Sequence, residues 1–493
     1  VNRPHALRRE KSAILVLPNE RDVSVQLSAL EIAAAVNAGR LDPLAVMEAF
    51  VARVEDRNPT LNALVSFDRK QALKSAAALS ARLREGERPI LAGVPVVVKD
   101  NIWIAGQNIT QGSPLFRDFC PPRSALSVVR LTNAGAQVIG IGNMPEFGCK
   151  DVTDNRLYGA TRHPLDPRLT PGGSSGGCAS AVAADMAPIA LCGDGGGSAR
   201  RPAAHVGIVG FKPTNGVIAD PWGFPSIMPG IGTSCPMGRT VADVSLMFEA
   251  MLGPHAEDAL SLILPHVALS DVTRLRVAWS PRLGLDIAVD SDVADAVAGA
   301  VDQLQRAGLR VVAADPEWPS GTSEERILAI EQSGLAATFG EVWCRDPALF
   351  DPHIGTQIKS GQALTGVEVA RAWNASLELA ACLATFFTRF DLLLCPTTAC
   401  VAWPLEQMTP ERIGGGPSSP RGHAAFTPLF NHARTPAISI PCGAGRNGLP
   451  VGLQIIGARL SDRQVLQAAA WMEATLGHEA RPWLDLYHPQ SVS

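Results

Sequence analysis

One stretch of this chain constrains its fold more than any other: TPGGSSGGCASAVAADMAPIALCGDGGGSARRPA, residues 170–203. Two glycine-cradled serine motifs, GGSSGG and GDGGGS, flank an alanine-rich segment of helical pattern and a short strand, PIALC. GDGGGS then reads as a tight turn and IVGFKP as a further strand. Upstream, GVPVVV is a β-branched run that predicts a buried strand ending at Lys99 and Asp100. Ser124 is placed to cap a helix through SALSVVRLTNAG, which Gly135 stops, and AQVIGIG predicts another buried strand. Strands alternating with helices predict an α/β fold with a largely parallel arrangement, its site on loops at strand ends.

Composition sets the bounds. The chain has 493 residues, 46% of them hydrophobic, which is ample for a large core. No charge-rich or Ser/Pro-rich linker divides it, so one large domain over 23–485 is expected, with a loose arm at 1–22 and a tail at 486–493. Arg3, Arg8, Arg9 and Lys11 precede only the short apolar run AILVLP, without a small-residue cleavage site. Nothing approaches the roughly 20 apolar residues of a membrane span. The cytoplasm is therefore the expected compartment. A formal charge of −4 gives no basic footprint for nucleic acid. The ten cysteines are scattered without a C-x-x-C pair, as buried small hydrophobes in a reducing compartment would be. No spaced His/Cys/Asp/Glu set argues for zinc, and no G-x-x-x-x-G-K-[ST] loop argues for nucleotide phosphate.

Two serines and a lysine in glycine-rich backbone are the parts for nucleophilic hydrolysis without histidine, because a neutral lysine can take a serine proton. Such acyl transfer needs an alkoxide, a stabilised oxyanion and a protonated leaving group. Ser198 is the expected nucleophile. Gly195, Gly196 and Gly197 lack side chains, so their N–H groups and that of Ser198 are expected to approach a carbonyl oxygen. Lys99 is the expected base, its pKa lowered by desolvation at the end of a buried strand, with Ser174 relaying the proton. The rival reading takes GGSSG as the G-x-S-x-G nucleophile elbow, with Ser174 or Ser175 central, Asp351 or Asp391 as acid and His423 or His432 as base. It leaves Lys99 and GDGGGS without purpose.

With these motifs the chain resembles the amidase signature family, whose Ser–Ser–Lys enzymes cleave carboxamides. The resemblance extends through LAGVPVVVKDN, NMPEFG, GFKPTNGVI, CPMGRTVAD, DLLLCPTTA and GLPVGLQIIG. It implies a large mixed central sheet flanked by helices, a cis peptide between Gly173 and Ser174, and an Asp194–Arg200 pair that braces the nucleophile turn, with Ser175 in support. It implies no metal or organic cofactor. Residues 255–385 match least and are expected to hold the region that varies with substrate. Cys192-Gly193-Asp194-Gly195 stands where the family has Gly-Thr-Asp-Thr, Ile141 where a lysine is common, and His163 where an asparagine precedes proline.

The expected partner is a small-molecule amide, neutral and bearing an aryl or alkyl group, with self-association into a homodimer left open. The alternative within the family is the glutamine-hydrolysing A subunit of a tRNA-dependent amidotransferase. The loop PWGFPSIMPGIG, 221–232, is placed to wall a pocket with Trp222 and Phe224, or to pack as ordinary core. Arg201, three residues after Ser198, is an additional arginine. It reads either as a clamp for a substrate carboxylate or, with more weight, as a structural ion pair or solvated side chain.

Overall fold

A computed structural model describes residues 27–445 and 447–477. The expected arm at 1–22 and tail at 486–493 lie outside the described residues. Eleven strands form one mixed sheet: β1 (Leu64–Ser66), β2 (Pro95–Lys99), β3 (Gln137–Gly142), β4 (Ile189–Asp194), β5 (Val209–Lys212), β6 (Thr233–Gly238), β7 (Val277–Trp279), β8 (Val311–Ala313), β9 (Leu392–Pro396), β12 (Ala437–Ala444) and β13 (Pro450–Gly457). A small separate hairpin pairs β10 (Arg412–Ile413) with β11 (Gly416–Pro417). The spatial order of the sheet is β1-β3-β2-β4-β6-β5-β12-β13-β9-β7-β8.

The α/β class and the mixed sheet agree with expectation, but the largely parallel arrangement does not. Parallel pairing is confined to β3-β2-β4 and to β9-β7-β8. Between them β4, β6, β5, β12, β13 and β9 run antiparallel in succession. The helix–strand alternation that signals a parallel sheet holds only locally, and the long β12–β13 hairpin carries no helix between its strands. Every residue of β2 and β13 is buried, as is usual for strands covered on both faces.

Register decides where the chemistry lies. β2 and β4 are adjacent and parallel, with Val96 opposite Ile189 and Val98 opposite Leu191. Their carboxyl ends therefore emerge together, β2 delivering Lys99 and β4 delivering Asp194 and the turn after it. The helix Gly176–Ala183, wholly buried, packs against the same strands. Its small residues also bring it close to the end of β3, where a Cβ on Gly177 would lie 2.3 Å from the Asn143 nitrogen. One cap differs from expectation. The helix Leu126–Asn133 has no side-chain cap, and Ser124 Oγ instead accepts from the Ala105 N–H at 3.0 Å. Gly135 does end this segment, at φ +95°.

Candidate active site

Lys99, at the buried end of β2, is 2% exposed, and its Nζ donates to Ser174 Oγ at 2.8 Å. Burial pushes the ammonium pKa down, against weaker opposition from neighbouring acidic groups such as Cys192 and Cys178. Ser174 follows a cis peptide bond from Gly173, as the resemblance implies. Its neighbour Ser175 ties two segments together: its N–H donates to the Ser198 carbonyl at 3.2 Å and its hydroxyl to the Gly193 carbonyl at 3.3 Å. Lys99, Ser174 and Ser198 all line one cavity of about 240 Å³.

The turn that carries Ser198 is held from beneath. Asp194 accepts the N–H of Gly197 at 2.7 Å and of Ala199 at 3.2 Å, and both Nε and Nη2 of Arg200 at 3.0 Å. Burial alone would raise this carboxyl, but the Arg200 guanidinium and the Arg200 and Asn431 hydrogen bonds hold it well below the usual carboxylate range. Arg200, fully buried, also donates to Gln454 Oε1 at 2.7 Å and to Asn431 Oδ1 at 2.6 Å. Asn431 returns a bond to Asp194 Oδ1 at 2.9 Å, and Thr427 Oγ1 donates to the Gly196 carbonyl at 2.7 Å. One expectation is corrected here. The Gly197 N–H is committed to Asp194 and so is not free to meet an oxyanion. Gly197 has φ +121°, and a Cβ there would lie 2.1 Å from Thr427 Oγ1. Only glycine fits that position.

Aromatic side chains wall much of the cavity. Phe147 and Phe339 stack with centroids 4.1 Å apart and planes 12° apart. Phe224 packs on Phe116, Phe119 and Trp103 with centroids at 4.9, 5.1 and 5.7 Å. Trp222 also lines the cavity, its Nε1 donating to Glu257 at 2.9 Å and its ring covered by the Arg123 guanidinium at 5.0 Å. The loop 221–232 is thus partly exposed pocket wall rather than ordinary core. Asp151, Arg201, Glu331 and Arg421 form a polar portion of the lining.

Comparison with known proteins agrees with this arrangement. Residues 45–466 match the family described as Amidase. The chain is 37% identical to an acylamidase of Rhodococcus erythropolis, over 93% of this chain and 96% of that one. The chain belongs to the amidase family. It is also 34% identical to the glutamyl-tRNA(Gln) amidotransferase A subunit of Symbiobacterium thermophilum, covering 91% of this chain and 96% of that protein. A bacterial aryl acylamidase of the amidase signature family superposes with a TM-score of 0.84 at 27% identity, over 94% of this chain and 98% of that one. An amidase hydrolyses amide carbon–nitrogen bonds, and that is the reaction class of this chain.

The rival elbow does not assemble in this amidase. His423 Nε2 faces Asp151 Oδ2 at 3.0 Å, and His432 Nδ1 faces Ser376 Oγ at 3.2 Å. Asp351 accepts from Lys150, and Asp391 pairs with Arg276. Neither histidine reaches a serine of GGSSGG. Arg201 is 3% exposed and ion-paired with Asp151, so it is not a solvated side chain.

Several residues of the site carry no legible signal in the sequence. Thr427 and Asn431 brace the turn carrying Ser198, and Gln454 holds Arg200 beneath it, all from more than 220 positions away. The threonine–proline pair opening TPLFNH marks a helix start, Pro428–His432, but not its destination. Glu331 and Phe339 sit on the helix Glu325–Arg345, within the segment 255–385 expected to vary with substrate. Among the described residues no His/Cys/Asp/Glu group is placed to hold a metal ion, and no helix is long and apolar enough to cross a membrane.

Proposed function

We propose that this amidase cleaves neutral linear carboxamides bearing an aryl or alkyl group, with Ser198 as nucleophile, Ser174 as relay and Lys99 as base. The observation that carries the mechanism is the 2.8 Å bond from Lys99 Nζ to Ser174 Oγ, buried at the wall of a cavity that Ser198 also lines. Neutral Lys99 takes the Ser174 proton while Ser174 takes that of Ser198. Ser198 Oγ bonds the carbonyl carbon, and the oxygen gains charge against the N–H groups of Gly195, Gly196 and Ser198. The proton then returns from Lys99 through Ser174 to the nitrogen as the C–N bond breaks, releasing ammonia or an amine. Water next gives its proton to the same relay and its oxygen to the acyl carbon. The acid departs and Ser198 regains its hydrogen.

The stacked Phe147–Phe339 pair and the Trp222–Phe224 loop support an apolar group on the substrate. The relationship to amidotransferase A subunits supports a second reading, glutamine hydrolysis that supplies ammonia to a partner. The apolar walls favour the first. All ten cysteines are unpaired, which supports a reducing compartment such as the cytoplasm.

A fluorophosphonate probe tests the nucleophile. Label mapped to Ser198, and lost in a folded Ser198→Ala variant that no longer forms an acyl-enzyme, is the expected result. Label on Ser175, or substantial turnover by Ser198→Ala, overturns it. An amide panel that includes glutamine, read by ammonia and amine release without partner proteins, separates the two substrate readings.

A further inference from the structure

The polar portion of the cavity lining has a composition that the cleavage steps do not use. Arg201 is 3% exposed and its N–H donates to the Gly197 carbonyl at 2.8 Å, which fixes it beside the nucleophile turn. Its Nε lies 3.1 Å from where a Cβ of Gly197 would stand. One guanidinium nitrogen, Nη2, pairs with Asp151 Oδ1. Among the described residues Nε and Nη1 have no hydrogen-bond partner, although both are shut away from solvent. Buried donors left unpaired are costly, and an arginine fork presents such donors in fixed geometry. A ligand acceptor in the cavity would satisfy them.

Charge decides which acceptor. Asp151 already neutralises Arg201 and also meets His423 Nε2 at 3.0 Å, while Arg421 pairs with Glu324 at 2.5 Å and stands 3.9 Å from Asp151. Two cations are thus matched by two carboxylates before a substrate enters. Glu331 adds a further carboxyl beside Asp151 in the lining, and burial pushes its pKa up, toward the neutral form. A substrate carboxylate would arrive without an unmatched cation and beside the buried Asp151 carboxylate, which is unfavourable. A neutral carbonyl meets no such penalty, and a neighbouring N–H would find an acceptor in Glu331.

Resting on the amide-cleaving reading above, we infer that this portion of the cavity is a subsite for a second, neutral carboxamide on the substrate, its carbonyl taken by Arg201 and its N–H by Glu331. The preferred substrates then carry two amides, one cleaved at Ser198 and one held intact, with an apolar group against the aromatic wall.

Three synthetic amides test this, sharing one scissile bond and differing only in a remote group: carboxamide, carboxylate, or a branched alkyl group of the same shape. The expected kcat/KM for the carboxamide exceeds that for the alkyl analogue by roughly tenfold to a hundredfold, with the carboxylate below the carboxamide. That preference should collapse toward unity in Arg201→Gln and in Glu331→Leu. Arg201→Gln leaves Asp151 with less compensation, so the double variant Arg201→Gln/Asp151→Asn, monitored by Tm and by probe labelling at Ser198, separates lost recognition from lost folding. Preference for the carboxylate, or a carboxamide preference untouched in folded, labelled variants, overturns the subsite. Equal cleavage of all three by the native protein overturns it while leaving the amidase mechanism standing. No cleavage of any, with Ser198 unlabelled, overturns both.

Discussion

Lys99 is useful as a base only if it is neutral, and its surroundings work in that direction. Desolvation disfavours the ammonium, and the Ser174 hydroxyl gives the amine a partner in either protonation state. The sign follows directly: a lowered pKa moves the active, neutral fraction to lower pH, and that fraction still grows as pH rises. kcat/KM should therefore climb from acid toward alkaline solution and level off once Lys99 has lost its proton. Replacing the lysine by alanine should remove the climb and cost about 10²–10⁴ in rate, the usual range for a lost general base. Both are read from pH–rate profiles of native and Lys99→Ala protein with chemistry shown to be rate-limiting. A native rate that never climbs with pH, over the whole range in which the protein stays folded, would count against a lysine base.

Among the local elements, the turn 195–198 shows how much a short glycine run can specify. Gly196 has open space where a Cβ would go, whereas at Gly197 Thr427 occupies that space and φ is positive. Two adjacent glycines thus predict opposite outcomes. Gly196→Ala should leave Tm nearly unchanged, the alanine even restricting the unfolded chain slightly. Gly197→Ala should destabilise strongly or fail to fold, because both the clash and the dihedral oppose it. Thermal unfolding of the two variants side by side checks this. From the sequence, the need for glycine here was legible, because backbone approach to a reacting carbonyl demands it. Which glycine is indispensable, and that the Gly197 N–H serves Asp194 rather than substrate, was not. The first depends on Thr427, more than 200 residues away, which no local pattern encodes, and the second is a three-residue contact that glycine content alone does not specify. Lys99 and Asp100 were correctly placed at a strand end because β-branched runs betray buried strands. The Ser124 cap failed for a related reason, a tertiary contact with Ala105 taking the hydroxyl that local pattern had assigned to the helix.

Over the whole molecule, the sheet supplies a rigid floor and the segment 255–385 supplies part of the wall. The parallel strands β2 and β4 fix Lys99 and the turn carrying Ser198, while the helix Glu325–Arg345 brings Phe339 and Glu331 to the same cavity. This division supports the expectation that substrate preference resides in that segment. Phe339→Ala should remove one face of the stacked pair with Phe147 and open space in the apolar wall. The ratio of kcat/KM for aryl over small alkyl amides should fall by about tenfold or more, while probe labelling of Ser198 continues. Unchanged selectivity would move the apolar determinant to the Trp222–Phe224 loop. The antiparallel centre of the sheet was hidden from sequence reasoning, since strand order is set by long-range pairing that helix–strand alternation does not record.

The proposed reacting groups are also widely separated along the chain. Lys99 and Ser174 are 75 positions apart, and they meet only when the segment leading into the helix Gly176–Ala183 packs against the end of β2. No fragment holding one motif can act alone, and a nascent or half-folded chain carries an inert serine. Hydrolytic competence thus serves as a clock for the last stage of folding. During refolding from denaturant, secondary structure should return first and probe labelling of Ser198 only afterwards, since non-local strand pairing is slow. Stopped-flow circular dichroism set against quenched labelling would time the two. Labelling that kept pace with the earliest ellipticity change would mean that the lysine and serine find one another before the sheet does.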